Sequence, residues 1–312
     1  MLRLFKTPHL LGATLATCVT SLLVACGGGT SQVDPFAPTR YVALGDELSV
    51  IASDGRKYSV NAFNAAGTAL DCTLNPVWTQ VVAASFGFHF KECPGTSTTA
   101  AQAEIWADVG ADATGLKAQI DAHAAAPFAQ TVLATVLVGM HDVKSIYENR
   151  GSATEAALIE QARQRGADIA TQVNRLVNLG AKVVVATAPD LGLTPYALAK
   201  GTADAGLLTR LTLALNGRMR VNILNDGRYV GLVLADEMIQ TAVKLPSVYG
   251  LAEGNGVTKA ACSVALPDCT TSTLVTGASA DSWLWADDFR LGRIAQLQVG
   301  NQAASRARNN PF

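Results

Sequence analysis

The amino-acid sequence predicts an α/β protein in which a central parallel sheet lies between two layers of helices. Two observations lead to this fold class. Short aliphatic and β-branched runs alternate along the chain with helical stretches of ten or more residues, a pattern typical of βαβ units. One of these runs is apolar or β-branched throughout, as in strands covered on both faces of a sheet. We therefore expect a three-layer α/β/α sandwich that binds ligands beyond the carboxyl ends of its strands.

The strands are predicted where apolar runs stop at a turn residue. The first run, 41–44, stops at Gly45. The longest, 131–138, is continuously aliphatic and β-branched and stops at Gly139, which suits the centre of a parallel sheet. The predicted strands are 41–44, 88–90, 131–138, 182–188 and 229–235.

Helices are predicted between these strands from the spacing of apolar residues. Leu116 and Ile120 lie four residues apart, so they fall on one face of a helix. The longest helical stretch is followed by Gly180, at a position where glycine commonly ends a helix. The predicted helices are 77–86, 113–124, 153–179, 207–224 and 294–306.

The first 25 residues predict export and lipid anchoring. Arg3 and Lys6 form a basic start, an apolar stretch follows over 10–24, and Leu-Val-Ala precedes Cys26. A basic start, an apolar stretch and a small-residue cleavage site are typical of a secretory signal. The apolar stretch is short for a membrane span, which needs about 20 residues. The ending is similar to the lipobox of bacterial lipoproteins, whose cysteine carries the lipid after cleavage. The alternative is an ordinary secretory signal that contains a cysteine.

The chain is accordingly divided into a signal peptide (1–25), a lipidated Cys26 with a tether (26–39), and one domain (40–312). The tether begins with a glycine-rich stretch, 27–32, which is flexible by composition. We expect the lipid on Cys26 to hold the domain on a membrane facing the periplasm, the outer membrane in preference to the inner one. Acyl chains anchor a protein through the burial of their methylene groups.

The charge balance excludes some classes of partner. The formal net charge of the whole chain is −1. It becomes −3 without residues 1–25, which carry two basic residues and no acidic residue. So weak a balance gives no reason to expect nucleic acid as a partner. We expect no cofactor.

Four cysteines lie in the domain: Cys72, Cys93, Cys262 and Cys269. An even number of cysteines in an oxidising compartment favours disulfide bonds. Three pairings are possible, and proximity along the chain favours Cys72–Cys93 with Cys262–Cys269. A zinc site is the competing interpretation, but the spacings do not match paired CxxC motifs.

Four segments carry a resemblance to a known family. They are YVALGDELS at 41–49, ADVGA at 107–111, VGMHDV at 138–143 and WADDFRL at 285–291. In this order they resemble the conserved blocks of the GDSL (SGNH) hydrolases, a family of lipases and esterases. Each block alone is weak, but four in order over 41–292, each after the expected element, are specific. The resemblance implies the flavodoxin-like α/β/α fold of that family and activity on acyl or acetyl esters.

The resemblance also implies a role for each matched position. The family's nucleophilic serine corresponds to Glu47, the catalytic histidine to Arg290, and the oxyanion-binding asparagine to His141. Gly110, which would donate a backbone N–H to the oxyanion, and Asp287 stand as in the family. A guanidinium remains protonated and cannot act as a base. The family's mechanism, which needs a hydroxyl nucleophile and an imidazole, cannot operate with these residues as written.

The substitutions suggest a charge pairing. In the family the serine meets the histidine, so Glu47 and Arg290 are expected within reach of each other, with Asp287 as a second anion. Unselected drift at an unused site is the alternative. A relocated hydrolytic site could use Ser49 as nucleophile and His141 as base, or a water with Asp46 and Glu47. A metal site is not expected, because Arg290 would repel a cation.

Two functional classes remain. The first is a catalytically silent relative that uses its cleft for binding or scaffolding, with an ester, a lipid or a glycan as ligand. The second is an ester hydrolase with a rearranged site. The exchange at Glu47, His141 and Arg290 favours the first class.

Overall fold

The structure is a computed structural model that describes residues 35–123 and 128–312. Pro35–Phe312 forms one compact unit. The predicted signal peptide, Cys26 and the first part of the predicted tether lie outside the described residues. Phe36, which the sequence places in the tether, packs its ring against Phe86 and Phe312 at centroid distances of 6.4 and 5.3 Å. Packing of the domain therefore already includes Phe36.

Five parallel strands form the sheet, and this confirms the predicted fold class. The strands are β1 (Arg40–Gly45), β2 (Ala103–Ile105), β3 (Val132–Leu137), β4 (Lys182–Ala186) and β5 (Val230–Val233). Their order in the sheet is β2-β1-β3-β4-β5, the flavodoxin-like order of doubly wound sheets. All six residues of the central strand β3 are buried, which explains its unbroken apolar sequence.

The helices cover both faces of the sheet. Crossovers between parallel strands are right-handed. The crossover from β1 to β2 runs across the sheet in one direction, and the later crossovers, to β3, β4 and β5, run in the other. The helices of the first crossover and of the later ones therefore lie on opposite faces. In the described residues the helices are α1 (Trp78–Ser85), α2 (Ala113–His123), α3 (Met140–Glu148), α4 (Glu155–Asn178), α5 (Pro195–Leu198), α6 (Thr202–Asn222), α7 (Ala235–Lys244), α8 (Asn255–Thr258) and α9 (Arg293–Asn309). Accordingly α1 packs against α9, whereas α4 packs against α2, α3 and α6. Among the described helices, none is both long enough and apolar enough to cross a membrane.

The strand register aligns four strand ends. Gly45 at the end of β1 pairs with Leu137 of β3, Leu137 with Ala186 of β4, and Ala186 with Val233 of β5. The residues that follow these strands therefore meet at one end of the sheet. We call this the site end, and the opposite end, where the strands begin, the strand-start end.

Several predicted elements differ from the structure. The strand predicted at 88–90 is wrong: only isolated bridges form there, from Phe90 to Cys93 and to Ala103. The edge strand beside β1 is instead β2, which is too short to show in the sequence pattern. The helix predicted from 207 begins at Thr202, because its first turn is small and polar and carries no apolar signal. The short helices α3 and α7, which begin within three residues of a strand end, were not expected.

Two disulfide bonds join Cys72 to Cys93 and Cys262 to Cys269, the pairing favoured by proximity. The first ties the loop after β1 to the segment that follows α1. The second lies in the long segment between α8 and α9, where buried Cys269 packs in a small apolar cluster with Val60, Ala280 and Ala286. Both bonds fasten long loops that surround the site end.

Candidate active site

Glu47 is placed by the sharp exit of the chain from β1. Gly45 has a φ of +119°, and a Cβ at this position would collide with the carbonyl oxygen of Leu137, so only glycine fits there. Asp46 then caps a short 3-10 turn, Glu47–Ser49, by accepting a hydrogen bond from the N–H of Leu48 at 3.0 Å. The turn leaves Glu47 with only 1% of its surface exposed.

Gly110 approaches from the loop after β2. The N–H of Asp108 donates to the carbonyl of Gly45 at 3.1 Å, which holds this loop against the end of β1. Gly110 has a φ of +80°, in the region that favours glycine. Its N–H donates to Oε2 of Glu47 at 2.9 Å. The backbone donor expected from the sequence is therefore directed at the Glu47 carboxylate.

His141 arrives from the neighbouring strand. Gly139 ends the connection from β3 and caps α3, so His141 lies in the first turn of that helix. Its Nε2 lies 2.9 Å from Oε2 and 3.0 Å from Oε1 of Glu47. Because a carboxylate only accepts hydrogen bonds, Nε2 carries the proton. The imidazole ring also packs against Phe289 at a centroid distance of 5.1 Å.

Asp287 and Arg290 come from a tight turn just before α9. Oδ1 of Asp287 accepts hydrogen bonds from the N–H groups of Phe289 and Arg290 at 2.9 and 2.6 Å, which shapes the turn. Oδ2 of Asp287 accepts from Nη1 of Arg290 at 2.6 Å. Nε of Arg290 donates to Oε1 of Glu47 at 2.7 Å. The ion pairs expected from the sequence, between Arg290 and both carboxylates, are present.

The Glu47 carboxylate is thus the centre of the site. One buried group accepts hydrogen bonds from a backbone N–H, an imidazole and a guanidinium, each belonging to a different segment of the chain. Charge-assisted hydrogen bonds of this kind are about twice as strong as neutral ones. The pairing also compensates for the large cost of burying a carboxylate without water.

The electrostatics follow from this arrangement. Burial alone would raise the pKa of Glu47, but the hydrogen bond and charge of His141, the Gly110 N–H and the charge of Arg290 outweigh it and lower the pKa to about 2. For His141, burial acts to lower the pKa, yet the contact with Glu47 raises it above its ordinary value. Burial also acts to lower the pKa of Arg290, but the nearby carboxylates of Asp287 and Glu47 raise it above its ordinary value. Glu47 is ionised and Arg290 protonated throughout the physiological range.

Asp46 is a second, contrasting carboxyl group. It is 1% exposed, and its Oδ2 has no hydrogen-bond partner among the described residues. Burial, and next the charge of Glu47, raise the pKa of Asp46 well above its usual value. Adjacent carboxyl groups therefore differ in protonation, because Glu47 takes the cationic partners and Asp46 has one backbone donor.

Ser49 is placed differently. It is fully buried, and its Oγ accepts a hydrogen bond from Nε1 of Trp78 at 3.1 Å. It therefore faces the α1 side of the turn, while Glu47 faces Gly110 and His141. The imidazole of His141 is already engaged by Glu47.

The partly exposed side chains of the site decide what it can bind. Its exposed parts are edges of His141, Asp287 and Arg290, each between 22% and 24% exposed in the side chain. They can bind a polar ligand through hydrogen bonds. No group of three or more candidate metal ligands occurs among the described residues.

Sequence reasoning missed two neighbours of the site. The Arg290 guanidinium lies 5.7 Å from the ring centre of Tyr58, in a loop that carries no motif. Phe289 reaches His141 from within the fourth motif, but an aromatic residue there gives no chemical signal. Both contacts depend on loops folding back over the site end, which one-dimensional spacing does not reveal.

No protein-family model matches the chain, and no curated protein matches it. Several solved structures are similar to it. A protein described as a GDSL-like lipase from Parabacteroides merdae is 11% identical with a TM-score of 0.44, over 87% of this chain and 98% of that chain. Phospholipase A1 from Streptomyces albidoflavus is 17% identical with a TM-score of 0.38, over 85% and 99%. A carbohydrate acetylesterase from Sinorhizobium meliloti is 14% identical with a TM-score of 0.38, over 85% and 97%.

Proposed function

We propose that this protein is a lipid-anchored, catalytically silent relative of the GDSL hydrolases that uses its cleft for binding or scaffolding. One observation carries the proposal: the Glu47 carboxylate, at the position of the family's nucleophile, accepts hydrogen bonds from Gly110, His141 and Arg290 together. The ligand classes we propose for the cleft are an ester, a lipid or a glycan.

The first support is the use of the oxyanion donors. Ester hydrolysis on this template needs N–H groups directed at the oxygen that becomes negative. The Gly110 N–H and the His141 Nε2–H are both occupied by Glu47, an anion that is already present. A substrate carbonyl would have to displace a charged acceptor with a neutral one. Loss of a single oxyanion donor costs about 10²- to 10³-fold in rate.

The second support is the absence of a proton acceptor at the position of the base. Arg290 stands there and remains protonated, with its pKa raised by Asp287 and Glu47. A guanidinium in two ion pairs cannot accept a proton from a nucleophile. Glu47 itself, with its pKa lowered to about 2, is a weak base at neutral pH.

The alternative function is an ester hydrolase with Ser49 or His141 as a rearranged catalytic group. The burial of Ser49 and its contact with Trp78 weigh against it. We therefore treat hydrolysis as the opposing outcome of the test rather than as a second proposal.

The test is an assay of the purified protein with short-chain nitrophenyl esters and a fluorophosphonate serine probe. We expect no turnover and no labelling above the Ser49→Ala/His141→Ala double variant. Turnover by the wild type that the double variant loses would overturn the proposal.

A second assay asks whether the cleft still has the shape of a hydrolase site. The triple variant Glu47→Ser/His141→Asn/Arg290→His restores the family's residues on an otherwise unchanged chain, and we expect it to acquire esterase activity. The matched control, Glu47→Ser/His141→Asn with Arg290 kept, lacks the imidazole and should remain inactive. A folded triple variant as inactive as this control would mean that the cleft no longer has the shape of a hydrolase site.

The lipid anchor is proposed from the cysteine at position 26 and the signal before it. The two disulfide bonds of the domain are compatible with an oxidising compartment outside the cytoplasm. The test is metabolic labelling with palmitate in a bacterial host, with Cys26→Ala as the control. Label in the wild type alone is expected; equal label in both would contradict the anchor.

A further inference from the structure

We propose that the strand-start end of the domain rests on a bilayer that contains anionic phospholipid, so that the candidate site faces away from the membrane. The proposal rests on the proposed lipid anchor at Cys26. It concerns a surface formed by the end of α6, the loop before β5 and the end of α9, which we call the rim.

The first argument is where the chain enters the domain. Thr39 donates its N–H to the carbonyl of Thr131 at 2.8 Å, just before β1 and β3 begin. The preceding Phe36 packs on Phe312, which follows the end of α9. Entry into the domain is therefore at the strand-start end, beside the carboxyl end of α9.

The second argument is the length of the tether. Pro35 lies nine positions after Cys26, and a fully extended chain of that length spans at most about 30 Å. A compact domain of this size has a radius of gyration of about 19 Å. Its width is at least twice that value and therefore exceeds the length of the extended tether. The strand-start end is held near the lipid anchor, and the site end lies across the width of the domain.

The third argument is charge. The last turn of α9 carries Arg306 and Arg308, both exposed, and neither forms an ion pair in the part of the chain that the structure describes. Nearby, Arg228 is neutralised by Asp226 at 2.7 Å. The two guanidinium groups suit the negative surface of an anionic bilayer, which attracts basic side chains.

The fourth argument is exposed apolar surface beside these charges. Val221 near the end of α6 is 80% exposed, and Leu224 just after it is 42% exposed. A Cβ added to Gly227 would lie 3.6 Å from Pro311, so the loop that follows Leu224 touches the chain just beyond α9. Apolar and basic side chains therefore share the rim, as in proteins that settle into the headgroup region.

The orientation has a consequence for the ligand. Glu47, His141 and Arg290 lie beyond the carboxyl ends of the strands and so open toward the aqueous side. A ligand then reaches the cleft from the aqueous space or from a structure on the far side of that space. Lipids of the anchoring bilayer are excluded as ligands of the cleft.

The experiment uses the full chain, expressed with its own signal, purified in detergent and reconstituted into vesicles with brominated phospholipid. Val221→Cys on the rim and Val109→Cys at the site end, 52% exposed, are each labelled with an environment-sensitive dye. The disulfide-bonded cysteines do not react, and the wild type measures labelling elsewhere. We expect lipid quenching of the dye at 221 and none at 109. Equal quenching, or stronger quenching at 109, would overturn the orientation.

The charge argument is tested in the same vesicles. Arg306→Gln/Arg308→Gln should reduce quenching at 221 to the level seen in purely zwitterionic vesicles. Arg163→Gln/Arg210→Gln, which removes the same charge from α4 and α6 away from the rim, should have no effect. Unchanged quenching in the first variant would overturn the role of the arginines. Mass spectrometry of the amino-terminal peptide separates the two hypotheses, since an unlipidated chain that does not bind vesicles refutes the anchor rather than the rim.

Discussion

The buried carboxylate at the centre of the site makes a strong prediction about stability. We consider Glu47→Gln, which keeps the size of the side chain but removes its charge and replaces one acceptor oxygen with a donor. The wild-type carboxylate accepts from Gly110, His141 and Arg290. An amide NH₂ facing these donors has no acceptor, and Arg290 loses one of its two anions.

The magnitude follows from the pKa of Glu47. A carboxyl whose pKa falls from 4.5 to about 2 on folding stabilises the folded state at neutral pH by about 3 kcal/mol, because one pKa unit corresponds to about 1.4 kcal/mol. Breaking a buried ion pair by removing one partner costs a similar 3–5 kcal/mol, as a rough range. We expect Glu47→Gln to lower the free energy of unfolding by about 3 kcal/mol at pH 7.

Urea denaturation followed by circular dichroism measures this difference. Glu160→Gln is the matched control: Glu160 pairs with Arg163 at 3.3 Å on the exposed face of α4, and exposed pairs contribute about 1 kcal/mol or less. The size of this stabilisation also depends on pH. Because the pKa of Glu47 is lowered on folding, its stabilisation is present above pH 4.5 and is lost as the pH falls toward 2. A Glu47→Gln variant as stable as Glu160→Gln at pH 7 would refute the reasoning.

A related variant tests whether the three donors form an anion site. Glu47→Ala leaves them around an empty space of carboxylate size. Added sodium acetate should raise the melting temperature of this variant above that in sodium chloride of equal ionic strength, because the small carboxylate replaces the missing side chain. The wild type, whose donors are occupied, should show no such difference. Equal effects on both proteins would contradict the site.

Three further predictions concern groups around the site. Burial raises the pKa of Asp46, so the wild type should lose stability as the pH rises toward and through this raised pKa. Asp46→Asn should therefore be similar in stability to the wild type near pH 4 and more stable by at least about 1 kcal/mol at pH 9. Parallel stability curves from pH 4 to 9 would contradict this. Cys72→Ser/Cys93→Ser should lower the free energy of unfolding, measured by thermal denaturation, by about 3 kcal/mol, since the bond closes a loop with a sequence separation of 21. No loss after its removal would show that the loop is held by packing alone. Gly45→Ala should prevent normal folding or expression, because its Cβ would collide with the backbone of Leu137; a well-folded variant would mean that β1 can leave the sheet along another path.

The general architecture could be predicted because it is a local property of the sequence. Runs such as 131–138 are apolar throughout, and strands buried on both faces require this. Elements without such a pattern could not be predicted. The edge strand β2 has three residues, and it forms because β1 offers a hydrogen-bonding partner. The mistaken strand at 88–90 had the apolar residues of a strand, but only Phe90 forms bridges there, to Cys93 and to Ala103 of β2.

The residues of the candidate site could be predicted from the sequence, but the protonation of its buried carboxyl groups could not. Motif order brought Glu47, Gly110, His141, Asp287 and Arg290 together, since residues after parallel strands meet at one end of a sheet. The sequence could also anticipate the pairing of Glu47 with Arg290 from their charges. The protonation of Asp46 could not be read in the same way, because it depends on burial and on the lack of a partner for Oδ2.

The sequence by itself determined the α/β class, the order of the four motifs and the presence of Glu47, His141 and Arg290 within them, and it favoured the observed pairing of the cysteines. These features depend on residue type and spacing, which are written along the chain. Only the tertiary structure decided that one carboxylate accepts from a backbone N–H, an imidazole and a guanidinium at once, and that Ser49 turns toward Trp78. A hydrogen bond requires its donor and acceptor in a particular geometry, and burial depends on many residues packing together. Contacts among these four distant segments therefore exist only once the sheet and its loops have assembled.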